Sequence, residues 1–264
     1  MKVKSVVKVM NFHALLRVND ARRQVEQAHD YEKELSTIIK DITNNRIFQQ
    51  ENVSIKMNEH GKELNIYMGS DLGFCANFNI DVMAFLNEDS DDNDKIIIGK
   101  KISKNYKNVI FSINKDEFAE RQSEIYELIL DGILKKKYSK VNIIYMHYYN
   151  MGRQEVVKAV LLPFQGVDEK CNDKRIEDDF VIEGDLEYIV WNLVSIYASM
   201  EVKIAEAWSW ASENVQRQLF TDKSLKRIEE MEEEKIRLAR KEKRMENFKI
   251  LVDMNNQKIA MRRK

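Results

Sequence analysis

The chain has 264 residues, 33% of them charged and 44% hydrophobic, with a net charge of −1, one proline, eight glycines and two cysteines. One or two domains fit that length. The balanced charge excludes an overall basic field for nucleic acid, and no apolar run approaches the ~18 residues that cross a bilayer.

Cys75 and Cys171 are too few for a disulfide framework and read as two free thiols in a reducing compartment. The N-terminus, MKVKSVVKVMNF, has neither the long apolar core nor the small-residue cleavage site of a secretory signal.

From Val3 to Ile42 there is no Pro or Gly, and apolar or small residues fall at Val3, Val7, Met10, Ala14, Val18, Ala21, Val25, Ala28, Tyr31, Leu35, Ile39 and Ile42. Each step is three or four residues, the period of a coiled-coil seam. This predicts a helix over residues 1–45, stopped near Asn44–Asn45.

The middle changes period. Val53–Met57 and Glu63–Met68 alternate around a turn at Asn58–Gly61 and predict a hairpin. Gly69–Asn79 reads as a loop, Ile80–Asn87 as a short helix, and Glu88–Asp94 as an acidic, solvated loop. Lys95–Ile98, Val109–Ile113, Val141–Tyr148 and Glu155–Leu162 read as strands. Asp116–Lys137 is amphipathic, with Phe118, Ile125, Leu128, Ile129 and Ile133 on one face. Strands alternating with helices imply an α/β unit with a largely parallel sheet. Gln165–Gly184 reads as a polar loop, and Asp185 as the N-cap of a second long helix.

After Gly184 there is neither Pro nor Gly, and the residues are strong helix formers. One helix over residues 185–264 would be roughly 110–120 Å long, against a globular unit of about 35 Å. Its seam runs Ile204, Trp208, Ala211, Val215 and Leu219. Two chain ends joined through a compact unit pair most simply as an antiparallel coil. The fold class is therefore α/β: a long antiparallel coiled coil of residues 1–45 and 185–264, plus a Rossmann-like foot of residues 46–184. Glu229–Glu234 is acidic, Lys235–Arg244 basic, and the tip (Ile250, Leu251, Val252, Met254) apolar, which implies insertion into a partner.

No catalytic site stands out, and no cofactor or metal is expected. Gly69–Asn79 lacks the Gly-x-Gly-x-x-Gly and Lys-[Ser/Thr] patterns of phosphate loops. No motif supplies a base for Cys75, and the four histidines are scattered. The tryptophans read as packing residues.

Five short motifs then fall in one order. Gly69–Asn79 resembles the Ser-Ser-Asp-Arg-Gly-Leu-Cys-Gly-x-x-Asn of the γ subunit of F-type ATP synthases, matching at Asp71, Gly73, Cys75 and Asn79. Leu72 replaces its Arg and Ala76 its Gly. Ile98-Gly99-Lys100-Lys101 is similar to its Ile-Gly-Arg-Lys, and Leu161-Leu162-Pro163 to its Leu-Leu-Pro. Ala211-Ser212-Glu213 with Arg217 matches Ala-Ser-Glu-x-x-x-Arg, and Lys8–Phe12 sits where the family has Lys-Ala-Met-x-Met. The resemblance leads one to expect a longer N-terminal helix. Arg240–Ile250 stands in place of the family's Asn-x-x-Arg-Gln segment.

The resemblance implies a non-catalytic rotor shaft inside a ring of α- and β-type ATPase subunits. Lys8, Met10, Arg17, Ser212, Glu213, Arg217, Arg244, Leu251 and Val252 would face that ring. The foot motif (Asp71, Gly73, Cys75, Asn79, Gly99 and Lys100) would lie toward an ε/δ-type stalk subunit and a membrane c-ring. Such a chain would bind no nucleic acid, would not enter the membrane, and would sit peripherally on its cytoplasmic side. Two alternatives stay open: a γ-like shaft of an F1-like ATPase with a non-synthetic mechanical role such as motility, and a non-motor coiled-coil scaffold.

Overall fold

A computed structural model describes residues 2–44, 57–163 and 184–262. Helix α1 spans Lys2–Asn44. It is followed by β1 (Lys62–Met68), α2 (Phe78–Glu88), β2 (Asp94–Ile98) and β3 (Val109–Ile113). A short 3-10 turn at Lys115–Glu117 leads into α3 (Phe118–Leu134), then β4 (Tyr138–Asn150) and β5 (Arg153–Leu162). The chain closes with α4, Leu186–Arg262, 77 residues long. Asp185 caps it: its Oδ1 accepts the Tyr188 N–H at 3.2 Å.

The sheet runs β3-β2-β1-β4-β5, parallel throughout except for β5. Successive side chains of a strand point to opposite faces, and both faces here are apolar. Leu64, Ile66, Met68, Ile96, Ile98, Val141 and Ile143 pack against α3 and α4, while Tyr67, Ile97 and Ile144 pack against Val82 and Leu86 of α2. This double burial explains the nearly unbroken apolar runs of β2 and β4. Both edges of β1 are taken by parallel neighbours, so it is not the arm of a hairpin. Of the other predicted arm, residues 53–56 lie outside the described residues, as do Cys171 and the 165–183 loop. The hairpin that forms is β4–β5, turning between Asn150 and Arg153.

The acidic loop is more structured than its composition suggests. Asp89 accepts hydrogen bonds from Asn65, Tyr67 and Asn93 and lies 3.5 Å from the buried Lys95 ammonium. Asp94 accepts from the Tyr138 hydroxyl at 3.0 Å.

The core beneath α3 is completed by Val190, Trp191, Val194, Ala198 and Val202 of α4 and by Ile39 of α1. Higher up, α1 and α4 pair antiparallel. Val25 and Ala28 meet Ile204 and Ala207, Val18 and Ala21 meet Ala211 and Val215, and Lys4 reaches Glu229 and Glu232. Small Ala side chains alternate with Val along this seam, which lets the helices approach closely.

Leu219, expected in the seam of α4, is 43% exposed. On α1 the seam keeps a strict four-three alternation, and that corrects three expected positions. Tyr31 and Val3 are 65% and 69% exposed, and Met10 is only half-buried. Glu32, Lys4 and Asn11 take the inward places instead. Asn11 Nδ2 donates to Thr221 Oγ1 at 2.9 Å and to Asp222 Oδ1 at 2.8 Å. Polar seam residues fix register at some cost in stability.

From Glu229 onward every side chain of α4 that is described is exposed, and only the first turn of α1 reaches that far, through Lys4. Beyond Glu232 the helix continues free to Arg262, about 45 Å at 1.5 Å per residue. No helix among the described residues is long and apolar enough to cross a membrane.

Two substitutions test the packing around the seam. Val215 is fully buried, so Val215→Asp should destabilise the purified chain by on the order of 4 kcal/mol in urea unfolding; an unchanged midpoint contradicts the pairing. Glu201 lies where α1, α4 and β4 meet. Burial pushes its carboxyl pKa up, Glu32 adds to this, and Tyr197 and His29 work against it. A carboxyl raised in the folded chain keeps its proton where the unfolded chain has released it. That contribution to stability is therefore lost as pH rises from the unfolded to the folded pKa. Glu201→Gln should be more stable than the parent chain at pH 7.5, with the gain shrinking toward pH 4.5.

Candidate functional site

The loop after β1 is held by its own side chains. Asn79 Oδ1 accepts the Ser70 N–H at 3.0 Å, and its Nδ2 donates to Ser70 Oγ at 2.8 Å. The buried Cys75 sulfur meets the Ser70 hydroxyl, the Leu72 carbonyl and the Asn79 amide, none of which is a base. It is a packed thiol. Asp71 ties this loop to two others: Oδ1 accepts the Lys100 N–H at 2.7 Å and Oδ2 the Asp116 N–H at 3.2 Å, with the Lys100 ammonium at 3.8 Å. Burial alone would raise the Asp71 pKa, but the backbone donors of Lys115, Lys100 and Asp116 and the Lys100 charge outweigh it and hold it low.

Gly99 is required by its φ of +117° and because a Cβ there would lie 2.7 Å from the Gly69 carbonyl carbon. Gly73 contributes its carbonyl oxygen. The left-handed positions of the loop fall on Phe74 and Ala76, at φ 63° and 48°.

The three loops sit at the carboxyl ends of parallel strands, where open α/β sheets ordinarily take a ligand. Here α4 fills that place. Ser212 Oγ donates to the Met146 carbonyl of β4 at 3.0 Å. Arg217 Nε donates to the Gly73 carbonyl at 3.3 Å, and its Nη1 and Nη2 donate to Asn214 and Glu213. The Lys115 ammonium bonds Glu213 at 3.1 Å and lies 3.6 Å from Glu206. Ser212, Glu213 and Arg217 are all at most 3% exposed, so they are engaged within the chain. The foot motif and the Ala-Ser-Glu-x-x-x-Arg motif thus form one joint.

The other candidates stand apart. Arg17 is half-buried and lines a groove with Asp71, Lys115, Glu206 and Trp210. Lys8 is exposed on α1, and Arg244, Leu251 and Val252 lie on the free end of α4, with Leu251 64% exposed. The acidic 229–234 and basic 235–244 bands are open to solvent below that apolar end. Sequence reasoning passed over Lys115 and Glu206, which no short motif marks. It also passed over Lys4, Asn11 and Glu32, which a strict heptad count would have found. Trp208 packs on His147 and Tyr148, and Trp191 lies in the core. Among the described residues, no group of three or more His, Cys, Asp or Glu could hold a metal.

Known proteins resemble the chain in sequence and in fold. The ATP synthase family matches residues 1–246. The ATP synthase gamma chain of Clostridium perfringens is 25% identical over 243 residues, covering 86% of this chain and 82% of that one. The gamma chain of Clostridium botulinum is 26% identical over 226 residues, covering 81% and 78%. In fold, the chain is similar to one from the central stalk and c-ring structure of the Tetrahymena thermophila mitochondrial ATP synthase, with TM-score 0.60, 18% identity, and 83% and 99% coverage. It is also similar to a chain of the Euglena gracilis mitochondrial ATP synthase, with TM-score 0.54, 14% identity, and 92% and 94% coverage.

The joint carries two predictions. Arg217→Ala leaves the buried Glu213 without its nearest cation and should cost about 3–5 kcal/mol in urea unfolding; a loss under 1 kcal/mol would contradict the joint. Ala76→Gly relieves a left-handed alanine and should stabilise the chain by about 1 kcal/mol; destabilisation would contradict the loop conformation.

Proposed function

The chain belongs to the ATP synthase family, and we propose that within it this is a gamma-type, central-stalk chain that turns as a rigid, asymmetric axle inside a ring of α- and β-type subunits. The observation that carries this reading is the free end of α4. It is a continuous helix whose acidic band, basic band and apolar tip are all uncovered in the chain alone. Met245, Phe248, Leu251 and Met254 are each more than half exposed, an apolar surface of the kind that marks a binding site.

Leu251 and Val252 would sit in an apolar sleeve of the ring, with Arg244, Lys8, Met10 and Arg17 facing its lower parts. Two unlike helices have no rotational symmetry, so each β-type subunit meets a different face. Each catalytic site is thereby biased toward a different state, a coupling free energy carried by a rigid element. Ser212, Glu213 and Arg217 serve inside the axle by holding foot to shaft.

ATP chemistry belongs to the β-type subunits, and this chain supplies none. The foot docks on an ε/δ-type subunit and a c-ring, placing the chain peripherally on the cytoplasmic side of a membrane complex.

Affinity purification of the tagged chain from its source cells should bring α- and β-type subunits with Mg-ATP hydrolysis. Recovery of the chain only as a homo-oligomer would overturn the reading. Deleting residues after Ile250 should weaken assembly with the ring while leaving unfolding of the sheet unchanged; equal loss of both contradicts the division of labour.

A further inference from the structure

The methionines of this chain divide sharply by environment. Met68 and Met146 are each 1% exposed, one in the main core and one against Cys75 and Phe78. Met231, Met245, Met254 and Met261 are 62%, 57%, 52% and 78% exposed, all on the outer part of α4. Met151, in the β4–β5 turn, is 47% exposed, and the other described methionines are half-buried.

Methionine is a soft, adaptable surface for a partner, but its thioether is open to two-electron oxidants wherever solvent reaches the sulfur. Leucine supplies similar apolar area without that chemistry. The reaction with a peroxide is balanced. The Sδ lone pair takes one peroxide oxygen as the O–O bond breaks, and the other oxygen leaves as water with the proton of the first. Sulfur is oxidised by two electrons and the peroxide reduced by two. The product is polar, and it disrupts methionine-rich interfaces. Cys75 competes poorly, because its sulfur is buried and faces no base.

Placement makes this consequential. Met245 and Met254 are nine residues apart, about two and a half turns, and so lie on opposite sides of α4. Phe248, Leu251 and Val252 lie between them in sequence. Two sulfoxides therefore put a polar group on both sides of the apolar tip.

We infer that the tip of α4 is an oxidation-sensitive docking surface: a peroxide converts Met245 and Met254 to sulfoxides and thereby weakens the hold of the ring on the tip. The selectivity half stands on exposure alone; the docking half rests on the rotor reading.

The purified full chain is treated with dilute hydrogen peroxide, digested, and each methionine read by mass spectrometry. Met245 and Met254, with Met151 and Met231, should oxidise at least about tenfold faster than Met68 and Met146. One common rate for all of them overturns the inference.

The treated chain is then incubated with dithiothreitol, which reduces oxidised thiols but not sulfoxides, and titrated with α- and β-type subunits from its source cells. Its affinity should fall about tenfold or more against the untreated chain, and methionine sulfoxide reductases should restore it. An oxidised chain that binds like the untreated one overturns the inference. Each variant is measured against its own untreated form. Met245→Leu with Met254→Leu should cut the peroxide-induced loss to less than about threefold, and Met151→Leu should leave the loss as it is. Equal loss in both variants overturns the assignment to the tip. If the untreated parent binds no α- or β-type subunit, the rotor reading and the docking half fall together, and the digest alone decides the selectivity half.

Discussion

A helix of 77 residues cannot be covered by a five-stranded sheet, and the structure is arranged around that mismatch. At 1.5 Å per residue α4 runs about 115 Å, and three environments divide it. Its first turns complete the core under α3, its middle pairs with α1, and its end has no partner among the described residues. Each environment selects its residues: Val and Trp against the sheet, alternating small residues against α1, and banded charge with exposed Met, Leu and Phe beyond. Because one rigid helix passes through all three, an angular change at the foot is transmitted to the tip.

That continuity is useful only if the foot is clamped. In a doubly wound sheet the carboxyl ends of the parallel strands are where a ligand would bind. This chain puts its own Ser212, Glu213 and Arg217 there and turns the strand-end loops into sockets. The motif around Asp71, Cys75 and Asn79 therefore holds a loop in shape for a helix, and its thiol faces hydrogen-bonding groups rather than a base. The strand-end position that holds a ligand in other α/β folds here holds a shaft.

Much of this was legible in the sequence because its signals are periodic. A glycine- and proline-free run with three- and four-residue steps is a helix pair, and alternating strands and helices are a parallel sheet. The errors came where apolar identity was followed instead of period. Tyr31 and Val3 looked like seam residues, but the heptad count puts Glu32 and Lys4 inward and leaves the two apolar residues in solvent. The hairpin before β1 failed because alternation marks a strand and not its neighbour: β1 pairs with β2 and β4, which lie further along the chain. Lys115 was invisible for a different reason. Its role arises from a loop meeting a helix some ninety residues later, and no local pattern records such a meeting.

The central claim is that foot and shaft turn as one body inside a ring. It is tested most directly by fixing the assembled complex through its β-type subunits, attaching a rod to the exposed Lys104 region of the foot, and adding Mg-ATP. Stepwise rotation of the rod in one direction, stopping when ATP is exhausted, is the predicted result. A rod that stays still while the same complexes hydrolyse ATP would contradict the account.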